Sequence, residues 1–575
     1  MVTKLPKVPV VVVGMGWAGG IVSAELTKAG ISVVGLERGK DRTTADYTMG
    51  HDELRYQHRQ ELMQDLSKET ITYRNTLSGK ALPMRHYGTF IVGDGVGGAG
   101  SHWNGQTYRF LPYDFEIRTK TIERYGIEKI PAWMEGLEDW GITYDEMEPY
   151  YDTFEKMAGI SGETVELWGK RTNPYPTPPL VKTPLMKEFE KAATSFGYKP
   201  FVIPAANLSE AYTNPDGISR GACQYCAYCE NFGCEYGAKG DPAVTVIPVA
   251  KQTGKLDLRT HSNVVELTKS GGKANGVIYV DMLTGEKFEQ PADVVVVASY
   301  VFNNSRLLLN SGIGTPYDPK TGKGTIGKNY CYQVTAGGSQ LFFEDKEFNL
   351  YGGAGALGIE IAEYMGDNFD HEEVDFIHGA GIRSTQYGDR PIAVNRVPAG
   401  TPNWGAEFKE KSIKYANSNF PVKTQGASLP HKENYLDLDP EFKDEFGYPL
   451  LRMTYEYTDN DRAMGKYMSK ITRKFAEEIG ADIIDTNEEQ GPFNVNKDSN
   501  THNTGGVIMG TDPEKSALNT YLQMWEAENV FVLGASAFPH NSCFNPTGTL
   551  GALSYRAAEG IQKYLKEGGL LVKHK

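Results

Sequence analysis

The sequence is poor in cysteine, short of positive charge and without a long apolar run, and each shortage removes a class of protein. Six cysteines among 575 residues make no disulfide framework, the more so because four crowd into CQYCAYCENFGC between Cys223 and Cys234. Neighbours that close more readily share a metal centre than cross-link distant loops. Against 59 basic residues stand 73 acidic ones, a net charge of −14, which argues against nucleic acid and anionic membrane as direct partners. No segment approaches the roughly 18 apolar residues of a membrane-spanning helix; the longest run, VPVVVVGMGW from Val8, is short and broken by glycine. MVTKLPKVPV at the start lacks the charged, apolar and cleavable regions of an export signal. The expectation is a chain with no membrane span and no export signal of its own, long enough for two domains.

What the sequence does have is glycine in particular places. Residues 7–39, KVPVVVVGMGWAGGIVSAELTKAGISVVGLERG, predict a buried parallel strand from Val8 to Val13, then Gly14-x-Gly16-x-x-Gly19. A helix with apolar Ile21, Ala24 and Leu26 follows, then a second strand ending at Glu37. In this context Gly14 makes the tight turn, Gly16 lets the backbone approach a pyrophosphate, and Gly19 permits close helix–strand packing. The helix N-terminus offers oriented N–H groups, and Glu37 stands where a ribose hydroxyl needs an acceptor. The motif predicts a dinucleotide without separating FAD from NAD.

A second stretch, GDGVGGAGSHWNG from Gly93 to Gly105, points towards flavin. Gly97, Gly98 and Gly100 form a close-approach backbone leading into Ser101, His102, Trp103 and Asn104, suited to a loop lying along an isoalloxazine ring. A histidine nitrogen at the flavin's dimethylbenzene edge can become covalently attached to it, and His102 is the candidate.

The tail from Thr501, THNTGGVIMGTDPEKSALN and then NVFVLGASAFPHNSCFNPTGTLGALSYRAAEGI, carries a resemblance that spans the chain. With the N-terminal fingerprint, DELRYQHRQELMQDLSKETITYRNT, ALPMRHYGTF, VGGAGSHWNGQTYRFLPYDF and the cysteine loop, it resembles the GMC (glucose–methanol–choline) flavin oxidoreductases. Within them it is similar to the flavoprotein subunits of bacterial gluconate 2-dehydrogenases. The resemblance implies an α/β fold, α+β overall, with a discontinuous Rossmann-like FAD-binding domain and an antiparallel substrate domain. The FAD domain is expected from 1–110, 201–334 (with the cysteine loop at 221–240) and 496–575. Residues 111–200 should wrap the substrate side, and 335–495 should form the substrate domain.

Oxidising a secondary alcohol requires a base on the hydroxyl proton and a second group holding the oxygen while hydride leaves carbon. GMC enzymes use a His–His or His–Asn pair. Carried onto this sequence, the base is His502 in THNTGG and its partner Asn545 in FNPTGT, with His540 nearby in sequence. Gly534 and Ala535 in GASAFP, together with Asn545 and Thr547, resemble the second flavin-contacting segment. A helix beginning near Thr549 would aim its positive end at the flavin's pyrimidine. A carboxylate substrate would demand a positioned cation, and Arg109 is the candidate.

For Cys223, Cys226, Cys229 and Cys234, zinc and iron–sulfur are both open on spacing. Structural zinc usually joins two separated knuckles, while x2 gaps resemble ferredoxin runs. The resemblance favours a [3Fe–4S] cluster on three of the four, with [4Fe–4S] on all four as the competitor. It implies oxidation of D-gluconate to 2-keto-D-gluconate, with electrons leaving through the cluster to a cytochrome c or quinone. Neutral-sugar or polyol oxidation, or a non-catalytic electron-transfer subunit, are the rival readings. It also implies a small partner subunit with a twin-arginine signal, a membrane cytochrome c subunit, and a place on the periplasmic face of the inner membrane.

Overall fold

A computed structural model describes residues 2–47, 62–86, 90, 92–388, 395–488, 490–498 and 501–573. Valine dominates the strand Val8–Val13, and Val10 to Val12 are wholly buried. A parallel strand covered on both faces has no solvent side on which to alternate. This strand pairs in parallel with Val33–Leu36 on one side and with the last residues of Lys287–Val297 on the other. Leu256–Arg259 and Val530–Val532 extend the parallel sheet at its two edges. The crossover between the first two strands is the helix Trp17–Lys28, which makes this a dinucleotide-type α/β unit.

Lys287–Val297 also serves a second purpose. Its first half pairs with Lys273–Asp281, which forms a hairpin with Ser262–Ser270. The two loop residues, Gly271 and Gly272, have φ of +59° and +79°, the left-handed pair that a tight hairpin turn needs. The helix read at SRLLLNSG spans Val301–Ser311 and is closed by Gly312 at φ +60°.

The second body is an antiparallel sheet of six strands. Its order is Ile483–Thr486, Ser339–Phe342, Asn419–Gly426, Ala380–Thr385, Gly358–Ile361 and Phe201–Val202. The outer strand Phe201–Val202 comes from the 201–334 segment. Conversely, Pro449–Thr454, which pairs with Tyr435–Lys443, pairs in parallel with Ile71–Arg74 from the N-terminal segment, and Leu82–Pro83 completes that sheet. Backbone pairing therefore crosses the boundaries drawn along the chain. The helix Thr547–Glu567 packs between Tyr144–Ala158 and Trp17–Lys28. At Gly551 a Cβ would lie 2.3 Å from the Phe154 ring, so only glycine permits that approach. Residues 52–61 and 87–89, within the stretches that carry the family resemblance, lie outside the described residues.

Candidate active site and cysteine loop

A cavity of about 270 Å³ runs from the glycine fingerprint to His502 and Asn545. At one end Gly14 turns at φ +89°, and a Cβ there would meet the Ala298 carbonyl at 2.6 Å. Gly16 borders the cavity and precedes the helix Trp17–Lys28 without a side-chain cap, leaving the first helical N–H groups open to it. Gly19 does not line the cavity. Its Cβ would lie 2.0 Å from the Gly14 oxygen, so its absence lets helix and strand close on each other. The Glu37 carboxylate, which also lines the space, accepts the backbone N–H groups of Met15 (3.0 Å), Gly39 (3.1 Å) and Gly95 (3.3 Å). Burial raises its pKa against the opposing pull of those donors.

The second glycine loop forms an adjoining wall. Gly98, Gly100, His102, Trp103 and Asn104 line the cavity. Gly97 and Ser101 do not; they shape the loop from behind. Gly97, at φ +98°, donates its N–H to the Met15 carbonyl at 2.8 Å, and Ser101 Oγ donates to the Val96 carbonyl at 3.3 Å.

At the far end the Asn545 Nδ2 amide donates to His502 Nε2 at 2.9 Å. The amide's orientation is fixed because its Oδ1 accepts from Gln425 Nε2 at 2.9 Å. His502 sits at φ +67°, and its carbonyl accepts the Asn541 side-chain amide at 2.6 Å. Burial, and the nearby Arg383 charge, push its pKa down to about 3, so the imidazole is a neutral base. Gly534, Ala535 and Thr547 line the same end. The helix there begins at Thr547, two residues before the expected position, with its N-terminus on the cavity. His540 lies elsewhere: its Nε2 is within hydrogen-bond reach of Trp140 Nε1 (3.0 Å) and the Asp114 carbonyl (2.9 Å) in the core.

Three residues unmarked in the sequence support the pair. Arg383 donates from Nη1 to Gln106 Oε1 at 3.0 Å and from Nη2 to Gln425 Oε1. Gln106 in turn donates to Tyr387 Oη at 2.9 Å and, through its backbone N–H, to Asn104 Oδ1 at 3.0 Å. Arg383 and Gln425 sit on neighbouring strands far apart in the chain, and no local motif announces them.

Arg109 is not the substrate cation. Its guanidinium is 1% exposed and embedded in carboxylates, with Glu155 bound bidentately at 2.9 and 2.8 Å and Glu148 at 2.9 Å. These partners hold its pKa above the usual value. A guanidinium so neutralised has neither charge nor donors left for a ligand.

The four cysteines are free thiols lining one smaller cavity. Tyr225, Ala227 and Asn231 take positive φ (52°, 67° and 70°), the tight turns that let closely spaced side chains face one space. Burial pushes Cys223 up to about 12 and Cys229 up to about 11. Among the described residues no three metal-ligating side chains are gathered as a ready site for an ion. Nearby charge suits an anionic group: Lys239, fully buried, donates to the carbonyls of Trp103 (2.7 Å), Cys229 (2.9 Å) and Phe232 (2.7 Å). Glu230 and Asn231, between the third and fourth cysteines, line the large cavity. One turn of chain thus separates the two spaces.

Comparison with known proteins agrees with this geometry. The GMC oxidoreductase family profiles match residues 124–335 and 430–554. The gluconate 2-dehydrogenase flavoprotein of Pantoea cypripedii is 40% identical, covering 99% of this chain and 96% of the relative. The 2-methyl-1,2-propanediol dehydrogenase of Mycolicibacterium austroafricanum is 28% identical, over 98% and 96%. A solved formate oxidase of Aspergillus oryzae superposes with a TM-score of 0.65 at 13% identity, over 99% of each chain, a likeness of fold.

Proposed function

Because this chain belongs to the GMC oxidoreductase family and is an FAD-dependent enzyme acting on CH–OH groups, we propose that it oxidises a secondary hydroxyl of a sugar acid, D-gluconate to 2-keto-D-gluconate. The observation that carries the chemistry is the His502–Asn545 pair at the inner end of the cavity. The identity to the Pantoea flavoprotein over the whole chain supports the substrate.

The fingerprint glycines, the uncapped helix start and Glu37 would hold the dinucleotide, and the 97–104 loop would flank the flavin ring. FAD, when bound, supplies the two-electron acceptor for the hydride. In the free site His502 Nε2 accepts from Asn545; the substrate hydroxyl replaces that donor, and Nε2, kept neutral by its depressed pKa, takes the hydroxyl proton. Asn545 Nδ2 donates to the substrate oxygen as negative charge develops there, with Gln425 preventing the amide from flipping. The alcohol loses one proton to His502 and one hydride, leaving the ketone. The fixed N-terminus of Thr547–Glu567 favours negative charge at the cavity's inner end.

The cysteine loop, in this reading, holds an iron–sulfur cluster that passes single electrons outward to a cytochrome c or quinone. Its support is the run from Cys229 to Cys234, whose cysteines line the smaller cavity while Glu230 and Asn231 between them line the large one, and the buried Lys239 beside the thiols. No helix among the described residues is long and apolar enough to cross a membrane. In this reading a small twin-arginine-signal subunit and a membrane cytochrome c subunit carry the protein to the periplasmic face and anchor it there. His102, buried on the cavity wall, is the proposed point of covalent flavin attachment; acid precipitation should then leave flavin on the native protein and release it from His102→Ala.

The test is anaerobic mixing of the purified holoprotein with D-gluconate and, separately, D-glucose, sorbitol and fructose, with the visible spectrum and the iron, sulfide and zinc contents recorded. Bleaching by gluconate, with iron and sulfide present, is the expected result. Bleaching by a neutral sugar alone overturns the substrate. Zinc in place of iron overturns the relay, and no bleaching with flavin bound leaves only electron transfer.

A further inference from the structure

The face of the six-stranded sheet that carries Gln425 also carries a buried acid. In strand register Glu360 stands between Phe201 and Arg383, and Arg383 stands between Glu360 and Lys423. Residues opposite one another in a sheet share a face. Glu360 is fully buried; its Oε2 accepts the Tyr108 hydroxyl at 2.6 Å, and its Oε1 has no hydrogen-bond partner among the described residues. Gly381 makes the room, since a Cβ there would lie 2.1 Å from Oε1. An acid held this deeply is costly unless a charge nearby offsets it. Arg383 is that charge. Its Nη donors are spent on Gln106 and Gln425, so the carboxylate acts on it across the register through the field, which burial leaves strong.

Two paths lead from Glu360 to the catalytic amide. Arg383 holds Gln425, whose Nε2 donates to Asn545 Oδ1 and to the Cys543 carbonyl, both at 2.9 Å. Tyr108 stacks on Phe544, the residue before Asn545, with ring centroids 4.7 Å apart and planes 16° apart. The first path has a drawback. The Arg383 charge is one of the two causes that depress His502, so the cation bracing the amide also weakens the base.

We propose that Glu360 is a positioning residue for the catalytic pair, bracing Asn545 through Tyr108 and Phe544 and, as an anion, offsetting at His502 the field of Arg383. The inference rests on the reading of His502 and Asn545 as the pair that oxidises the alcohol. Burial raises the Glu360 carboxyl to about 7, against the pull of Arg383 and of the Tyr108 hydroxyl. The groups around it keep one charge state there. Burial holds the protons on Tyr108, Cys543 and Tyr387, Arg383 is held above its usual value, and Lys423 lies over the Tyr387 ring at 5.1 Å. The strand Phe201–Val202 brings no titratable group. Below its pKa Glu360 is neutral and Arg383 acts unopposed on His502. Above it the anion offsets Arg383, and His502 accepts the hydroxyl proton more readily.

The experiment is anaerobic stopped-flow reduction of the holoenzyme flavin by saturating D-gluconate, native against Glu360→Gln, from about pH 5 to about pH 9. At the acid end the two should reduce at the same rate, because the variant keeps the neutral form. Towards the alkaline end the native rate should rise roughly 3- to 10-fold while the variant stays flat, and Glu360→Asp should regain part of the rise. A native-to-variant ratio that does not change with pH overturns the proposal and leaves Glu360 a structural acid. Should Glu360→Gln fail to fold, Tyr108→Phe decides. Losing a donor that lowers the carboxyl's pKa should move the step to higher pH, and a step that stays in place overturns the proposal. Native-rate reduction in His502→Ala removes instead the reading of the catalytic pair. If gluconate leaves the native flavin oxidised, the same comparison is made with the neutral sugar that reduces it.

Discussion

Asn231 donates its backbone N–H to the carbonyl of His102 at 2.7 Å, which fastens the cysteine loop to the wall of the flavin cavity. Lys239 reinforces the junction by donating to carbonyls on both sides, Trp103 on the cavity loop and Cys229 and Phe232 on the cysteine loop. Two segments more than a hundred residues apart in the chain are thereby made one structural unit. For the proposed iron–sulfur relay this matters because electron transfer falls steeply with distance, and the junction fixes the loop against the cavity wall.

Lys239→Met should separate the two loops. It leaves three buried carbonyls without their donor, at a cost of about 1–3 kcal/mol for each unsatisfied group. The expected outcome is a lower Tm and a lower iron-to-flavin ratio in purified protein. An unchanged ratio would mean that the cysteine loop is organised without this lysine.

Replacing His502 by alanine should lower the rate of flavin reduction by substrate by about 10²- to 10⁴-fold, while flavin content stays at the native level. Stopped-flow spectroscopy reads the first quantity and the absorption ratio of flavin to protein reads the second.

The pH profile carries its own sign. His502 is pushed down to about 3 by burial first and by the Arg383 charge second. The working form is the neutral imidazole, so activity limited by this group is retained as pH falls through 6.5 and is lost only as pH approaches 3. In Arg383→Met one of the two causes is gone, and the acid limb of kcat/KM should move upward, towards the ordinary histidine value.

Arg109→Met tests a stability role. Removing the cation leaves Glu155 to Arg171 and Glu148 to Thr172, at a cost of about 1–3 kcal/mol for the lost charge-assisted bonds. Chemical denaturation should show that loss, and flavin reduction by substrate in the surviving enzyme should keep its native rate.

Gly19→Ala places a Cβ 2.0 Å from the Gly14 oxygen. Helix and strand must part, at about 1–3 kcal/mol for overpacking, and the fingerprint turn moves with them. Weaker flavin retention on gel filtration is the expected readout.

The fingerprint was legible because its physics is local. A turn at positive φ, a glycine under a helix and an acid at a strand end need only neighbouring residues, and Gly14, Gly19 and Glu37 show those features in the fold. The hairpin at Gly271 and Gly272 was legible for the same reason. His502 and Asn545 came from motifs whose flanks match a family. Arg109 misled because a cation beside a conspicuous motif, HWNGQTY, carries no sign of its partners; Glu148 and Glu155 reach it only when Tyr144–Ala158 packs against it.

What the sequence by itself determined is the chemistry at hand: a dinucleotide turn, a histidine and asparagine for an alcohol, and four thiols in one loop. The tertiary structure decided which side chains hold the catalytic pair and how the cysteine loop is fastened to the cavity wall. Both depend on pairings between strands and loops distant in the chain, and such contacts are set by packing and register, which leave no periodic trace along the sequence.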